Sequence, residues 1–456
     1  MHSILHSQWL RHIGFLFLSA AILLFMALYN GYPIVTSDTG TYIESGFTLK
    51  PPLDRPIYYG LLLKVTSLGA SLWLAIAFQS IVLAWVVRHF IRSFIPAVSE
   101  AHLLAFMVLL SLFTTCGWYV SQLMPDIYTA VLVGASILFL RKSVTGWRQA
   151  LLLLLMLLSC LVHNSNMLLL FSYSILTLLA GFVVASWKVY RSAAIWLLAV
   201  SLVGWLGLAL ANFAGGKGFV TSQSTHVFLM GKLAENGVLK RYLDQRCPTK
   251  NWSICASKDN LPPYAWEFHW DAESPLQKAG GWEATRPEYN AILKDVYTTP
   301  GLYPMLAFKA VEGTFRQLTG YEIDTWYALP WNVIDEESPV WQAVNHHYTS
   351  ELNELKGART NGKTLDVLFF NKIFLLVAAL SFMATLLFLK PEYKARYVHT
   401  LWLTGLFLVL NAGITANLSA VHSRFNSRVA WVVVLVNVIF LLKSQFGRRA
   451  TLGNKD

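Results

Sequence analysis

The chain alternates between long apolar runs and short polar connections over most of its length. Ten of these runs have roughly 15–22 residues, close to the ~20 that cross a bilayer as an α-helix. Helices are expected because sheet edges find no hydrogen-bond partners in lipid. The ten predicted spans are 13–31, 70–88, 102–120, 126–140, 149–163, 166–186, 193–213, 367–389, 400–419 and 429–442.

A long hydrophilic block, residues 215–366, interrupts this pattern between the seventh and eighth predicted spans. Its polar composition and helical stretches predict a mostly helical domain outside the membrane. The block divides the chain into a membrane domain at 1–214 and a second one, with its tail, at 367–456. Aromatic stretches such as "YAWEFHW" and "DTWYALPW" suit either an interfacial belt or a surface that stacks on sugars.

Composition places the chain among integral membrane proteins. Of its 456 residues, 55% are hydrophobic and 13% are charged, whereas soluble domains carry about 25% charged residues. The first apolar run lacks a cleavage site of small residues, so we expect a membrane anchor and not a cleaved signal peptide.

Lysines and arginines are concentrated in alternate connections. When ten spans are threaded alternately these residues fall on one side, which the positive-inside rule identifies as the cytoplasm. Both termini are then cytoplasmic, and the hydrophilic block lies on the outer side. The net charge of +11 is therefore mostly topological, and we expect no nucleic-acid partner. The residues are Arg11, Arg88, Arg92, Arg141, Lys142, Arg148, Lys188, Arg191, Lys390, Lys394, Arg396, Lys443, Arg448 and Arg449.

The four cysteines form two groups. Cys116 and Cys160 lie in apolar spans and are expected to be small core residues. Cys247 and Cys255, in "CPTKNWSIC", lie in the outer block, where an oxidising compartment favours a local disulfide. A metal site is the alternative for this second pair.

Ionisable residues at the outer mouths of the spans are the candidates for function, because charges near lipid are costly. Asp38 and Glu44 in "SDTGTYIESG" follow the first span. The alternative for both is a solvated loop carboxylate. Asp54 and Arg55 in "PPLDRPIYYGLLLK" come next, and their alternative role is to cap and pair at the start of a short helix.

Two further outer turns carry candidates. Asp126 in "QLMPDIYTAVLV" begins the fourth span, where the helix dipole also favours an acid as a plain cap. His163, Asn164 and Asn166 in "CLVHNSNMLLL" form the turn between the fifth and sixth spans. A tight turn explains the asparagines but not the histidine.

The sequence "VHSRFNSRVAWVVV" places Arg424 and Arg428 four residues apart at the outer mouth of the last span, on one helix face. Arginines on the outer side oppose the positive-inside trend, and guanidinium groups suit phosphate. The outer face thus gathers acids, a histidine and two arginines. This arrangement fits a lipid-linked phosphate donor, with an acid as general base and arginines on the departing phosphate.

These residues resemble the pattern of GT-C-type integral-membrane glycosyltransferases, such as the protein mannosyltransferases and the aminoarabinose transferase acting on lipid A. The shared features are an acid after the first span (Asp38), the amphipathic segment "LDRPIYYGLLLKV", an acid opening a middle span (Asp126) and a late arginine motif, "SRFNSRVAW". The similarity covers about 1–215 and 366–442 in layout. Many members have adjacent acids in the first loop, whereas Thr39 and Gly40 follow Asp38 here.

The resemblance implies transfer of a sugar from a polyprenyl-phosphate donor to a lipid, glycan or protein acceptor on the periplasmic face of a bacterial inner membrane. It implies Asp38 as general base, and Arg424 and Arg428 as ligands of the donor phosphate. The expected pocket residues are Glu44, Asp54, Arg55, Asp126, His163 and Asn166. A divalent metal stays open, and no other cofactor is implied. The alternatives are a transporter or flippase of a lipid-linked sugar or anion, and a non-catalytic scaffold that binds through an aromatic surface at 260–345.

Overall fold

The computed structural model describes residues 2–323, 334–362 and 364–446, and it is all-helical, with 76% helix and no strand in those ranges. The predicted aromatic stretch at 324–331 and the tail beyond 446 lie outside the described residues. The helices before the hydrophilic block are α1 (His2–Leu23), α2 (Phe25–Asn30), α3 (Ser37–Thr48), α4 (Tyr58–Thr66), α5 (Leu72–Phe94), α6 (Glu100–Phe113), α7 (Cys116–Val120), α8 (Ile127–Leu140), α9 (Trp147–Val162), α10 (Asn164–Val183) and α11 (Arg191–Ala214).

The hydrophilic block and the final membrane part are helical as well. The block contains α12 (Thr225–Glu235), α13 (Val238–Arg246), α14 (Ala265–Trp270), α15 (Pro275–Lys278), α16 (Gly281–Ala284), α17 (Arg286–Thr298), α18 (Tyr303–Leu318), α19 (Pro339–His347) and α20 (Leu352–Gly357). The last helices are α21 (Val367–Phe388), α22 (Pro391–Leu418) and α23 (Ser423–Phe446). Short 3-10 helices occupy Ala185–Tyr190, Ser253–Ser257, Pro300–Leu302 and Thr349–Glu351.

Within the described ranges, 6 helices are long and apolar enough to cross a membrane. They are Leu72–Phe94, Asn164–Val183, Ala185–Ala214, Val367–Phe388, Pro391–Leu418 and Ser423–Gln445. The prediction of a helical membrane protein is confirmed in this form. Shorter apolar helices at Leu10–Leu23, Glu100–Phe113, Ile127–Leu140 and Trp147–Val162 coincide with the remaining predicted spans.

One of the short apolar helices, α6, ends early because the backbone changes direction. The predicted span 102–120 ends as a helix at Phe113 and resumes at Cys116. The Thr114 hydroxyl donates to the Leu110 carbonyl oxygen at 2.6 Å, and a Cβ at Gly117 would collide with the Ser111 carbonyl oxygen. At 1.5 Å per residue, the 14 residues of α6 cover about 21 Å, less than the ~30 Å hydrocarbon core.

The hydrophilic block does not form one separate core. Side chains from 227 to 302 build their own hydrophobic cluster, whereas Val340, Val344 and Leu355 belong to the large cluster of the membrane helices. A disulfide joins Cys247 to Cys255 in the separate cluster's part of the chain, and Cys116 and Cys160 are buried free thiols. The predicted 215–366 domain is therefore divided, and its last part packs on the first outer loop.

The last part of the block is fixed to the membrane helices by a buried carboxylate. Glu351 accepts hydrogen bonds from the Tyr32 hydroxyl at 2.9 Å and from the Leu72 backbone N–H at 3.0 Å. Leu72 is the first residue of α5, where the helix dipole favours a negative charge. The chain after α20 continues this contact, because Arg359 N–H donates to the Asn30 carbonyl oxygen at 2.9 Å.

The short helix that carries Asp38, α3, is held by a capping box and by close packing. Thr36 and Thr39 exchange side-chain and backbone hydrogen bonds at its start. A Cβ at Gly40 would collide with the backbone of Pro339, so this glycine lets α19 lie directly against α3. Gly46 and Gly60 play the same part where α3 crosses α4. Asp38 thus sits on a helix fixed from two sides.

Candidate functional site

A cavity of about 340 Å³ lies where one set of turns between the apolar helices meets the hydrophilic block. Its wall is built by α3, the segment before α4, the turns that open α8 and α10, the α22–α23 connection, and α12 with the end of α14. Six of the predicted site residues line it: Asp38, Asp54, Arg55, Asp126, His163 and Arg424. The structure therefore brings together residues that are far apart in sequence.

Asp38 lies between two guanidinium groups. Its Oδ1 is 3.1 Å from Nη2 of Arg55, and its Oδ2 is 3.7 Å from Nη2 of Arg424. Burial opposes the charged form of this carboxyl, but the charges of Arg55 and Arg424 outweigh burial and hold the pKa of Asp38 below its usual range. The side chain keeps 25% of its surface exposed. Asp38 is therefore an ionised carboxylate that stays partly exposed at the cavity.

Arg55 is held in place by several partners at once. Its Nε donates to Asp54 Oδ1 at 3.0 Å, and Nη2 also contacts the other Asp54 oxygen. Nη1 donates to the Asp38 carbonyl oxygen at 3.2 Å. The guanidinium carbon lies 5.1 Å from the centre of the Tyr42 ring, within cation–π range. Tyr42 also lines the cavity, although sequence reasoning missed it.

Arg428 differs from the prediction because its guanidinium is fully buried and does not line the cavity. Nη1 donates to Asp126 Oδ1 at 3.0 Å, and Nη2 donates to Asn411 Oδ1 at 3.1 Å and to Ser165 Oγ at 3.2 Å. The predicted direct contact of Arg428 with a ligand phosphate is therefore corrected. Arg428 instead stands behind Asp126 and fixes the carboxylate that faces the cavity.

Arg428 also contacts the imidazole of His163. Arg428 Nη1 lies 2.9 Å from His163 Nε2. On the other side of the ring, Nδ1 lies 2.9 Å from Ser165 Oγ and accepts from the Ser165 backbone N–H at 3.3 Å, which caps the start of α10. His163 thus lies between Arg428 and the start of α10, and it forms part of the cavity wall.

Two predicted pocket residues lie away from the cavity. Glu44 Oε2 is 3.0 Å from His347 Nε2, at the contact between α3 and α19. Asn166 is fully buried, accepts from the Thr129 hydroxyl and donates to the Ser159 carbonyl oxygen, each at 2.9 Å. Glu44 therefore belongs to a helix contact, and Asn166 joins α8, α9 and α10 below the site.

One side of the cavity reaches the outer surface of the helix bundle. Leu168 of α10 and Leu418 of α22 both line the cavity, and they are 37% and 43% exposed. Both helices are long and apolar enough to cross a membrane. The cavity lining therefore includes exposed apolar side chains of two membrane-length helices.

The opposite wall is aromatic and comes from the hydrophilic block. Phe228 of α12 and Trp270 of α14 line the cavity. Trp282 connects them, with ring centres 5.8 Å from Phe228 and 5.1 Å from Trp270. His269 packs edge-on against Phe228 and is buried, and a Cβ at Gly231 would collide with its Nε2. This wall depends on a tight fit between α12 and α14.

The buried His269 predicts a pH-dependent stability of the outer block. Burial lowers the pKa of His269 to about 4 in the folded chain. When the pH lies between this value and the ordinary histidine pKa of about 6.5, the unfolded chain binds a proton that the folded chain does not. We expect the free energy of unfolding to fall by about 3 kcal/mol as the pH falls from about 6.5 to about 4. Thermal unfolding followed by tryptophan fluorescence measures this. His269→Gln should have a weaker pH dependence than the wild type, and equal slopes would contradict the assignment.

The charges at the site do not form a metal centre in the part of the chain that the structure describes. No group of three or more His, Cys, Asp or Glu side chains there is placed to hold a metal ion. Asp38 and Asp54 both bind Arg55, which already supplies positive charge between the two carboxylates. The described residues therefore do not fit a bridging divalent metal.

Asn411 is a positioning residue that sequence reasoning missed. It lies in α22, is buried, and binds both Arg428 and, through Nδ2, the Phe425 carbonyl oxygen at 2.6 Å. An amide inside an apolar span is costly, and that signal could have marked it.

Comparison with models of known protein families, with curated proteins and with solved structures gives no match.

Proposed function

We propose that this chain is a GT-C-type membrane glycosyltransferase that moves a sugar from a polyprenyl-phosphate donor to an acceptor on the outer face of a bacterial inner membrane. One observation carries the proposal. An ionised carboxylate, Asp38, lies 3.7 Å from the guanidinium of Arg424 in a cavity that two membrane-length helices help to line. A donor of this kind needs an apolar surface for its lipid tail, a cation for its phosphate and a carboxylate beside its sugar.

The proposal includes the full topology. The shorter apolar helices at Leu10–Leu23, Glu100–Phe113, Ile127–Leu140 and Trp147–Val162 would complete ten spans, each crossing with the help of flanking residues. Both termini would then be cytoplasmic, and the hydrophilic block periplasmic. Support comes from the lysines and arginines, which this threading places on one side, away from the cavity.

The donor would enter from the bilayer. Its polyprenyl tail would lie along the apolar surface beside Leu168 and Leu418, which leaves the phosphate at the level of Arg424. Arg424 is 27% exposed and lines the cavity, so its charge can reach a phosphate. Arg428 would act indirectly, by holding Asp126 and the start of α23.

The reaction would be a substitution at the anomeric carbon of the sugar. The bond between this carbon and the phosphate oxygen breaks, and a bond to the acceptor's oxygen or nitrogen forms. The acceptor proton goes to the Asp38 carboxylate, and the electron pair of the broken bond leaves with the polyprenyl phosphate. Arg424 and Arg55 stabilise the charge that develops there, as preorganised cations do in other phosphate sites.

The acceptor would approach from the aromatic wall. Phe228 and Trp270 offer flat apolar surfaces beside the polar side chains of the cavity. Such rings suit the C–H face of a sugar, and an indole N–H adds a donor. A glycan acceptor, free or attached to a lipid or protein, matches this combination.

The donor's phosphate provides a direct test with purified protein. Native mass spectrometry should detect a bound polyprenyl phosphate, and binding of the corresponding polyprenol should be weaker. Arg424→Ala should remove this preference for the phosphate. Arg396→Ala is a matched control, because it removes the same charge from an exposed site on α22 far along the chain from the cavity. If the wild type bound polyprenyl phosphate and polyprenol equally well, this would contradict the proposal.

A further inference from the structure

Helix α18 (Tyr303–Leu318) carries an apolar face that the described part of the chain leaves exposed. Phe308, Val311 and Phe315 are 65%, 71% and 68% exposed, and their spacing of three and four residues places them on one face. Pro304 and Ala307 fall on the same face and are also exposed. A contiguous apolar face of this size is unfavourable in water and marks an interaction surface.

The opposite face of α18 packs closely on the membrane-length helix α22. A Cβ at Gly313 would lie 3.7 Å from the Ala416 Cβ, and one at Gly413 would lie 3.7 Å from the Thr314 hydroxyl. The Asn417 amide donates to the Thr314 hydroxyl at 3.1 Å. Small residues thus bring α18 against the outer end of α22.

The depth of this contact follows from the charges on α22. Its charged residues lie in its first turns, up to Arg396, and residues 400–418 carry none. These residues cover about 28 Å at 1.5 Å per residue, close to the ~30 Å hydrocarbon core. Gly413 lies about 7.5 Å below the end of the helix on the same scale. The contact with α18 is therefore at the level of the outer leaflet.

A third face of α18 is charged. Lys309, Glu312 and Arg316 share one flank of the helix, and Lys309 Nζ donates to Glu312 Oε2 at 2.7 Å. A helix with one apolar face and one charged flank suits the boundary between acyl chains and headgroups. The protein, the acyl chains and the headgroups would each meet one side of α18.

We propose that α18 lies in the outer leaflet of the bilayer, with Phe308, Val311 and Phe315 in contact with acyl chains and Arg316 at the headgroups. The partner of this surface is lipid, because α18 packs on the membrane-length helix α22 at Gly413, and Val409, one turn earlier in α22, is also an exposed apolar side chain. The hydrophilic block is thus anchored in the membrane in the second half of its sequence.

This anchor is also tied to the connection that carries the site arginines. Gln317 is fully buried, and its amide pairs with both backbone groups of His422, donating at 2.7 Å and accepting at 2.8 Å. The Asn426 amide donates to the Leu318 and Gly320 carbonyl oxygens, each at 3.0 Å. The outer leaflet would therefore help to set the position of the turn before Arg424.

Spin labelling in a bilayer tests the proposal without any assay of transfer. A spin label at Val311→Cys, in nanodiscs of phosphatidylethanolamine and phosphatidylglycerol, should be more accessible to oxygen than to a water-soluble nickel chelate. Native thiols do not interfere, because Cys116 and Cys160 are buried and the other two cysteines form a disulfide.

Two matched positions calibrate the measurement. Leu386→Cys reports an exposed site on the membrane-length helix α21, and Lys294→Cys reports an exposed site on α17 of the outer block. We expect the ratio of oxygen to nickel accessibility at Val311→Cys to resemble the ratio at Leu386→Cys. A ratio like that at Lys294→Cys would show that water covers this face. Low accessibility to both reagents would show that a protein partner covers it. Either result would overturn the proposal.

Discussion

Asp38→Asn is expected to lower sugar transfer by about 10²–10⁴-fold, the usual contribution of a general base, while the protein stays folded. The amide is nearly isosteric but cannot accept the acceptor's proton. The fold should survive because the capping box of α3 uses Thr36 and Thr39, and Arg55 keeps its contacts with Asp54. The measurement is the rate at which the glycosylated product appears in a deletion strain that carries the variant.

Glu44→Gln is the matched control for this prediction. It removes the same charge from the same helix, but Glu44 contacts His347 and not the cavity. We expect Glu44→Gln to transfer at close to the wild-type rate, with both variants present in the membrane at equal levels. Full activity of Asp38→Asn would remove Asp38 from the reaction.

Arg428→Met is expected to destabilise the folded protein by about 3–5 kcal/mol, the usual effect of removing one partner of a buried ion pair. The guanidinium is fully buried, so its loss leaves the Asp126 carboxylate charged and without its partner. Asn411 and Ser165 lose a donor as well. Unfolding in detergent, followed by circular dichroism, measures the change in the free energy of unfolding.

The double variant Asp126→Leu/Arg428→Met separates the cost of an unpaired charge from lost packing. Replacing both charges with apolar side chains removes the uncompensated carboxylate, so we expect it to recover much of the stability lost in Arg428→Met. Asp126→Leu alone should be destabilising, because it leaves the guanidinium buried without its carboxylate. A double variant as unstable as the sum of the two single variants would contradict this account of the pair.

The grouping of several candidate residues could be predicted because the expected topology depends only on the order of apolar runs and charged connections along the chain. Runs of apolar residues and the side occupied by lysines and arginines place Asp38, Asp126 and Arg424 at one surface, and the cavity gathers these three. Asp54 and Arg55 followed from the same reasoning, since their segment must return along that surface. The helical membrane class followed from length and hydropathy alone.

The direction of a side chain at that surface could not be predicted. Arg424 and Arg428 share a helix face, yet Arg424 lines the cavity and Arg428 is buried against Asp126 and Asn411. Glu44 lies on the same short helix as Asp38 but points to α19. The contacts of Arg428 with Asp126 and of Glu44 with His347 join residues 302 and 303 positions apart, and such contacts leave no local pattern in the sequence.

The division of the hydrophilic block between two hydrophobic clusters could not be predicted from the sequence either. Its end belongs to the core of the membrane helices because Glu351 caps α5 and Gly40 admits the backbone of Pro339. A glycine at position 40 is compatible with close packing, but the residues around it do not indicate which segment of the chain packs there. The apolar face of α18 was not predicted, although the spacing of Phe308, Val311 and Phe315 is a local pattern that could have indicated it.

The most direct test of the central claim is mass spectrometry of envelope glycans and lipids from a deletion strain and from the same strain complemented with the wild type. Transfer of a sugar by this chain predicts that one component of the deletion strain lacks the mass of a single sugar. The wild-type chain should restore that mass. Envelopes of identical covalent composition in the two strains would contradict the account and favour transport or a scaffold.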